Sequence, residues 1–403
     1  MKKVVLAFSG GLDTSFCVPY LKEKGYEVYA ATVDTGGFSD VEIKKIKNRA
    51  KELKVKKHFL VDGKQDLYNK IVTYIIKANV LRGGVYPLSA GPERIIQATE
   101  VVKIAKKIGA IAIAHGSTGA GNDQVRFDVT IKTLSPEMEI ITPIRELGIT
   151  REEEITFLEK HGFKVEITSK SYSINKGMLG TTIGGKETKD SWESPPDSVY
   201  PTVTSIENAA KHGEEIIISF QKGLPIGING KSISGWKLMD YLDKLGAKHG
   251  VGKGIHLGNT ILGIKGRVVF EAPAALILIK AHKELEKLVL TKWQSFWKDI
   301  VAEPYGNFLH EGLYFDPAVK DIEALIDSSQ SVVTGEVKVK LHKGNIIIVG
   351  VKSPYSLMDK KVATYGEQNL LWSGQEAVGF SKIYGLQGVL AGKAKKLGDQ
   401  YEN

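Results

Sequence analysis

"KVVLAFSGGLDTSF", residues 3–16, decides the fold of this chain. The apolar run KVVLAF leads straight into Ser9-Gly10-Gly11-Leu12-Asp13-Thr14-Ser15, and an amphipathic run follows. A strand that ends in a glycine turn and opens a helix leaves free N–H groups pointing outward, at the positive end of the helix dipole. Such a turn favours an anion. Glycine lets the backbone approach a phosphate closely, and the hydroxyls of Ser9, Thr14 and Ser15 add donors. The Gly-Lys-Ser/Thr ending of a kinase or GTPase loop is missing here, as is the Gly-x-Gly-x-x-Gly of dinucleotide-binding folds. A phosphate loop without that lysine suits a pyrophosphate that departs as a unit when the α-phosphate is attacked.

Beyond this turn, short apolar runs alternate with longer amphipathic ones up to about residue 170, the pattern of βαβ units around a parallel sheet. The strands are read at 3–8, 27–34, 55–62, 110–116 and 138–144, with helices over 39–54 and 93–109 that end in basic residues. From about 168 to 202 the composition turns to Ser, Thr, Gly, Lys and Pro, which reads as a long irregular connection. Strand-turn-strand character returns at 215, helical character at 235–250, and 335–353 reads as a β-hairpin turning at His342-Lys343-Gly344-Asn345. The expected fold class is α/β: a doubly wound parallel-sheet nucleotide-binding domain (1–168), an α+β synthetase and multimerisation domain (169–365), and a short C-terminal helix with a tail (366–403). The tail, rich in Gly and Lys, is expected to be loosely ordered or to grip another subunit.

At 403 residues with 42% hydrophobic and 25% charged, the chain has ample core for two or three domains. A single cysteine, Cys17, excludes a disulfide framework and a cysteine-rich zinc site, and fits a reducing, cytoplasmic compartment. The longest apolar stretch, "APAALILI" at 272–279, is far short of the roughly 20 residues of a membrane helix, so neither export nor a membrane partner is expected. The formal net charge of +9 allows an anionic partner, but only "KELKVKKHF" at 51–59 is dense, and no nucleic-acid partner is expected.

A second constellation, "AHGSTGAGNDQVRFD" at 114–128, follows the fourth strand, at the edge where open α/β sheets bind ligands. Hydroxyl and amide donors can hold the carboxylate of an amino acid, Asp123 its ammonium and Arg126 a second carboxylate.

The first turn resembles the pyrophosphate loop of the ATP pyrophosphatase superfamily. Together with "TVDTGG", "YPL" at 86–88, "AHGSTGAGNDQVRF", "SYS" at 171–173, "LGIKGRVVFEAP" at 262–273 and "KSPYSL" at 352–357, it resembles the argininosuccinate synthase family over nearly the whole chain. That resemblance implies a cytoplasmic homotetramer that uses ATP with Mg2+ to join citrulline to aspartate through a citrullyl-adenylate, releasing pyrophosphate and AMP. It implies ATP at Ala7, Phe8, Ser9, Gly10, Gly11, Leu12, Asp13, Thr14 and Ser15, with Val33 and Gly116. Aspartate falls to Thr118, Asn122 and Asp123, and citrulline to Tyr86, Asn122, Arg126, Ser173 and Thr182. Asp123 would orient the attacking amine.

Three positions depart from the family pattern on the citrulline side. Gly91 lies where a small hydroxyl residue is common, Gly258 where a citrulline-contacting glutamate is usual, and Phe270 where a tyrosine is usual. Either neighbouring residues compensate, or the acceptor is a citrulline whose amine is blocked. A tRNA-modifying adenylating enzyme and a non-catalytic ATP-binding protein are the other readings; the single cysteine speaks against sulfur-transferring members of the superfamily.

Overall fold

Strand β1 (Lys2–Ala7) is buried through Val4, Val5 and Leu6 because helices cover both sides of the sheet it belongs to. In the computed structural model, which describes residues 1–165, 171–233, 235–359, 364–366 and 371–399, β1 leads through the glycine turn into helix α1 (Leu12–Glu23). Then come β2 (Tyr26–Asp34), α2 (Asp40–Glu52), β3 (Lys57–Asp62), the short α3 (Lys64–Leu67) and α4 (Thr73–Lys77), and α5 (Glu93–Ile108). Strand β4 (Ala112–Ala114), α6 (Asp123–Leu134), β5 (Glu139–Ile141), α7 (Pro143–Leu147) and α8 (Arg151–Lys160) complete this half. The five strands are parallel in the order β3-β2-β1-β4-β5, so the expected doubly wound sheet is present.

The two faces bury different partners. Val4, Leu6 and Val28 pack with Phe16, Val18, Ile46, Ala50 and Leu158 of α1, α2 and α8, whereas Val5, Ala31 and Ile113 pack with Ala98, Val101, Val102, Phe127 and Ile131 of α5 and α6. Alternate residues of β1 thus feed opposite cores, as the period of a strand requires. The winding reverses between β1 and β4, and at such a reversal a crevice opens beyond the C-terminal strand ends. Both the glycine turn and the 115–122 loop emerge there.

The stretch expected to be irregular contains β6 (Ser173–Gly177) and β7 (Gly180–Gly184), which correct that reading; its first residues, 168–170, lie outside the described residues. Strand β8 (Glu214–Gln221), β9 (Leu224–Ile228), β10 (Lys231–Ser232), α9 (Trp236–Lys248), β11 (Lys253–Asn259) and β12 (Lys265–Glu271) follow. "APAALILI" opens α10 (Pro273–Val289), a helix nearly surrounded by core. Helices α11 (Lys292–Glu311) and α12 (Pro317–Ser329) precede the expected hairpin, β13 (Gly335–His342) and β14 (Asn345–Lys352). Two antiparallel sheets result, β10-β9-β8-β13-β14 and β11-β12-β7-β6.

Residues 1–355 form one compact unit and 356–403 a second. The second contains α13 (Gly374–Tyr384), opened by a Ser373/Glu376 capping box, and α14 (Leu386–Asp399). The tail, expected to be loosely ordered or to grip another subunit, contains a helix, α14, up to Asp399; residues 367–370 and 400–403 lie outside the described residues.

Candidate active site

Gly10 adopts φ +74°, a conformation other residues enter only with strain, and a Cβ there would sit 3.1 Å from Ile46 Cγ1. The turn it makes exposes Ser9 and Gly11 and leaves the α1 N-terminus without a side-chain cap. Ser9 Oγ lies 3.2 Å from Thr14 Oγ1, so two of the expected hydroxyls stand together at the mouth of the turn. Ser15 faces the other way: it is buried, and its Oγ accepts from Arg49 Nε at 3.1 Å. Phe8 and Val33 are buried behind the turn, and Phe8 N–H donates to Ala31 O.

The second loop reaches the first. A Cβ on Gly116 would lie 3.2 Å from Asp13 Cβ and 3.3 Å from Thr14 Cγ2, so glycine is what allows the two loops to touch. His115 is a support of this loop. Ser117 N–H donates to its Nδ1 at 3.3 Å, which places the proton on Nε2, 2.8 Å from Asp128 Oδ1, and Arg145 holds the other oxygen of Asp128 at 2.7 Å. Thr118 is exposed at the loop's edge.

From the loop, α6 presents Asp123 and Arg126 one turn apart. Arg94 Nε donates to Asp123 Oδ2 at 2.9 Å and Arg126 Nη1 to Oδ1 at 2.7 Å. Burial alone would raise the Asp123 carboxyl, but the two guanidiniums outweigh it and hold it at about 2. Asn122 Oδ1 accepts from Ile261 N–H at 3.0 Å and so ties the loop to the turn between β11 and β12.

Tyr86 is tied to Arg82, whose carbonyl accepts from its N–H at 3.1 Å. It is buried, and burial pushes its hydroxyl up to about 12. Its ring stacks on His256 at 5.5 Å with 14° between planes, and Phe270 leans on it at 5.1 Å and 52°. Thr182 pairs with Phe270 across β7 and β12, and Ser173, on the neighbouring β6, is exposed. Contacts thus run from Ser9 through Thr14 to Gly116, from Asp123 through Arg126 to Gly91, and from Tyr86 through Phe270 to Thr182.

The three departures have visible counterparts. His256 and Gly258 share one face of β11, and a Cβ on Gly258 would fall 2.4 Å from His256 Nε2; the imidazole occupies the room a side chain at 258 would need. A Cβ on Gly91 would lie 3.2 Å from Arg126 Cζ, so the missing side chain leaves that space to the guanidinium. Phe270 covers Gly254 on the paired strand, with a Gly254 Cβ only 2.3 Å from the ring.

Four side chains at the site were not anticipated from sequence: Arg94, Arg82, His256 and His310. Arg82 Nη2 donates to Asn259 O at 2.8 Å, and Arg126 Nε donates to His310 O at 2.8 Å. Only Arg94 carried a signal, as a basic residue in the first turn of a helix that begins seven residues after Tyr86.

Comparison with known proteins accounts for both halves. Residues 3–164 match the family described as the arginosuccinate synthase N-terminal HUP domain, and residues 172–391 the arginosuccinate synthase C-terminal domain. The argininosuccinate synthase of Pyrococcus furiosus is 42% identical over 390 residues, 96% of this chain and 94% of that protein. That of Geobacillus kaustophilus is 41% identical over 385 residues, covering 95% and 94%. That of Staphylococcus saprophyticus is 39% identical over 386 residues, 96% of each.

Proposed function

The chain belongs to the argininosuccinate synthase family, and from that premise we propose that the path from Ser9 to Thr182 holds ATP, aspartate and citrulline in that order. The enzyme is an ATP-dependent carbon–nitrogen ligase. Its chemistry runs in two displacements. The ureido oxygen of citrulline attacks the α-phosphorus and pyrophosphate leaves; the amine of aspartate then attacks the activated ureido carbon and AMP leaves. No covalent enzyme intermediate is required, so positioning and charge stabilisation carry the rate.

The observation that supports this placement is the contact between the two loops at the winding reversal. Ser9, Thr14 and the free N–H groups of α1 face the β- and γ-phosphates, while Ala7, Phe8, Gly10, Gly11, Leu12, Asp13, Ser15, Val33 and Gly116 shape the bed of the nucleotide. Mg2+ enters as part of the substrate, held by phosphate oxygens and water, with the Asp13 carboxylate at the same mouth. Ser15 supports the turn through Arg49 rather than by touching phosphate.

Thr118, Asn122 and Asp123 hold aspartate. With its carboxyl at about 2, Asp123 is far too weak a base to take the proton of an attacking amine, so its role is to orient that amine. Tyr86, Asn122, Arg126, Ser173 and Thr182 hold citrulline, with His256 standing in the room of the absent residue 258 side chain. The same reading includes a domain boundary near residue 168, a cytoplasmic location and a homotetramer. Exposed Trp293, Phe296 and Trp297 on α11 supply an apolar face for subunit contact. Among the described residues no helix is long and apolar enough to cross a membrane.

The test is pyrophosphate release with Mg-ATP and aspartate, with citrulline and N-acylated citrulline compared as acceptors and the product weighed by mass spectrometry. Argininosuccinate from free citrulline is the expected result. Turnover only with the acylated amine would reassign the acceptor, and no turnover with either would refute the placement.

A further inference from the structure

Two imidazoles on the acceptor side each have a buried ring nitrogen without a hydrogen-bond partner among the described residues: Nε2 of His256 on β11 and Nε2 of His310 in the last turn of α11. For His310 the position of the proton can be derived. Arg126 Nη2 lies 3.2 Å from His310 Nδ1. A guanidinium can only donate, so Nδ1 is the acceptor, and in the neutral ring the proton must sit on Nε2. The ring is neutral at any ordinary pH, because burial first and then Arg126, Arg82 and His256 pull it down to about 3. His310 therefore presents an Nε2–H donor in a residue only 6% exposed, with no acceptor for it among the described residues. Folded proteins rarely leave a buried donor unmet, and one at a binding site points to an oxygen on the ligand.

The surroundings decide which oxygen. The backbone of His310 is clamped to α6: its carbonyl accepts from Arg126 Nε, and a Cβ on Gly312 would lie 2.8 Å from Arg126 Cα. Its imidazole thus stands at Nη2 of the Arg126 guanidinium, whose Nη1 holds Asp123. The groups that act on it are Arg126, Arg82 and His256; of the carboxylates in this region Asp123 receives two guanidiniums, and Glu311 and Glu303 act on Arg82. An N–H donor beside two guanidiniums fits the carboxylate of the acceptor.

We propose that His310 Nε2–H donates to the carboxylate of the ureido acceptor, making His310 a specificity-determining residue for acceptors that carry an acid at that end. This rests on the reading that citrulline lies between Arg126 and Tyr86.

The experiment is equilibrium binding by calorimetry, with a non-hydrolysable ATP analogue present, of citrulline and of N-carbamoylputrescine, the same ureido chain without the carboxylate. His310→Phe keeps a ring and removes the donor; His310→Gln restores an N–H near the original position. His310→Phe is expected to weaken citrulline binding roughly tenfold, the order of a hydrogen bond to a charged group, while leaving N-carbamoylputrescine and the ATP analogue within twofold. His310→Gln recovers most of the loss. Unchanged citrulline binding in His310→Phe would overturn the contact, and an equal loss on both acceptors would place the donor at the ureido end instead. Because binding is read without turnover, a wild-type enzyme that binds citrulline with this contrast but forms no argininosuccinate would refute the reaction and leave the contact standing.

Discussion

Replacing Glu154 by Gln tests how the phosphate turn is supported. Glu154, on α8, is 2% exposed; its carboxyl faces Asp13 at the start of α1, and its Oε2 is buried. Burial, then the Asp13 charge, raise its pKa from 4.5 to about 8. The sign follows from linkage. Between about pH 4.5 and 8 the folded chain keeps a proton on Glu154 that the unfolded chain has lost, so the folded state binds more protons and stability falls as pH rises; above 8 both states are ionised and the slope vanishes. Glutamine carries no such proton, so the wild type should lose stability relative to Glu154→Gln at up to about 1.4 kcal/mol per pH unit. Integrated from pH 5 to 8 the gap is on the order of 4 kcal/mol, and partial screening at the mouth of the turn reduces it to about 2 kcal/mol.

Thermal unfolding of both proteins from pH 5 to 9 reads this directly. The melting temperatures should coincide near pH 5 and separate by several degrees at pH 8, the variant being the more stable. Glu93 and Asp243, whose burial also raises them, to about 8 and about 7, titrate in both proteins and cancel in the difference. The KM for ATP should show the same contrast, rising above pH 8 only in the wild type, where a second negative charge then lies beneath the phosphates. Melting curves that stay parallel from pH 5 to 9 would refute the reasoning.

Gly10→Ala places a methyl at φ +74° and 3.1 Å from Ile46, and should cost about 1–2 kcal/mol locally; we expect the KM for ATP to rise about tenfold with the KM for aspartate unchanged, read by pyrophosphate release. Gly258→Ala drives a Cβ to 2.4 Å from His256 Nε2 and must turn the imidazole off Tyr86; the KM for citrulline should change severalfold and that for ATP not at all. Lys298→Met leaves the buried Glu286 without its cation, though Asn79 and Gln330 still donate to it; urea unfolding should show a loss of about 3–5 kcal/mol.

Much of the first half was legible because a strand covered on both faces carries a run of consecutive apolar residues, as Val4–Ala7 of β1, Val28–Ala31 of β2 and Ala112–Ala114 of β4 do. The hairpin β6–β7 was not, since β6 is exposed over Ser173–Lys176 and carries no alternation; it is held by β12 through β7 and by Glu93, whose Oε1 accepts from Met178 N–H at 2.6 Å. Helix α14 did carry a signal, with Leu386, Val389, Leu390 and Leu397 at helical spacing, which the glycines and lysines between them obscured. His256 and His310 had no motif to announce them. Their meaning depends on contacts with Tyr86 and Arg126, which are 170 and 184 positions away in the chain, and only the folded arrangement brings them there.

That difference in legibility has a physical origin in how each side of the site is built. On the proposed placement, the nucleotide side comes from one strand, one turn and one helix start, plus a loop touching it at Gly116; a side chain at Gly10 would sit at φ +74° and 3.1 Å from Ile46, and one at Gly116 would crowd Asp13 at 3.2 Å, so the local sequence is constrained. The acceptor side is assembled from α6, the segment around Tyr86, β7, β11 and the end of α11. There a change at one position can be answered at another: the room vacated at Gly258 is filled from the same strand face by His256, and that vacated at Gly91 belongs to Arg126. On the proposed placement of citrulline, Gly258 and Gly91 are therefore positions where a neighbouring side chain, His256 or Arg126, takes the space. A variant that restores a carboxyl at position 258 alone, Gly258→Glu, should consequently fail to improve citrulline binding, because the glutamate and His256 compete for one space; improvement would come only when His256 is also replaced by a small apolar residue.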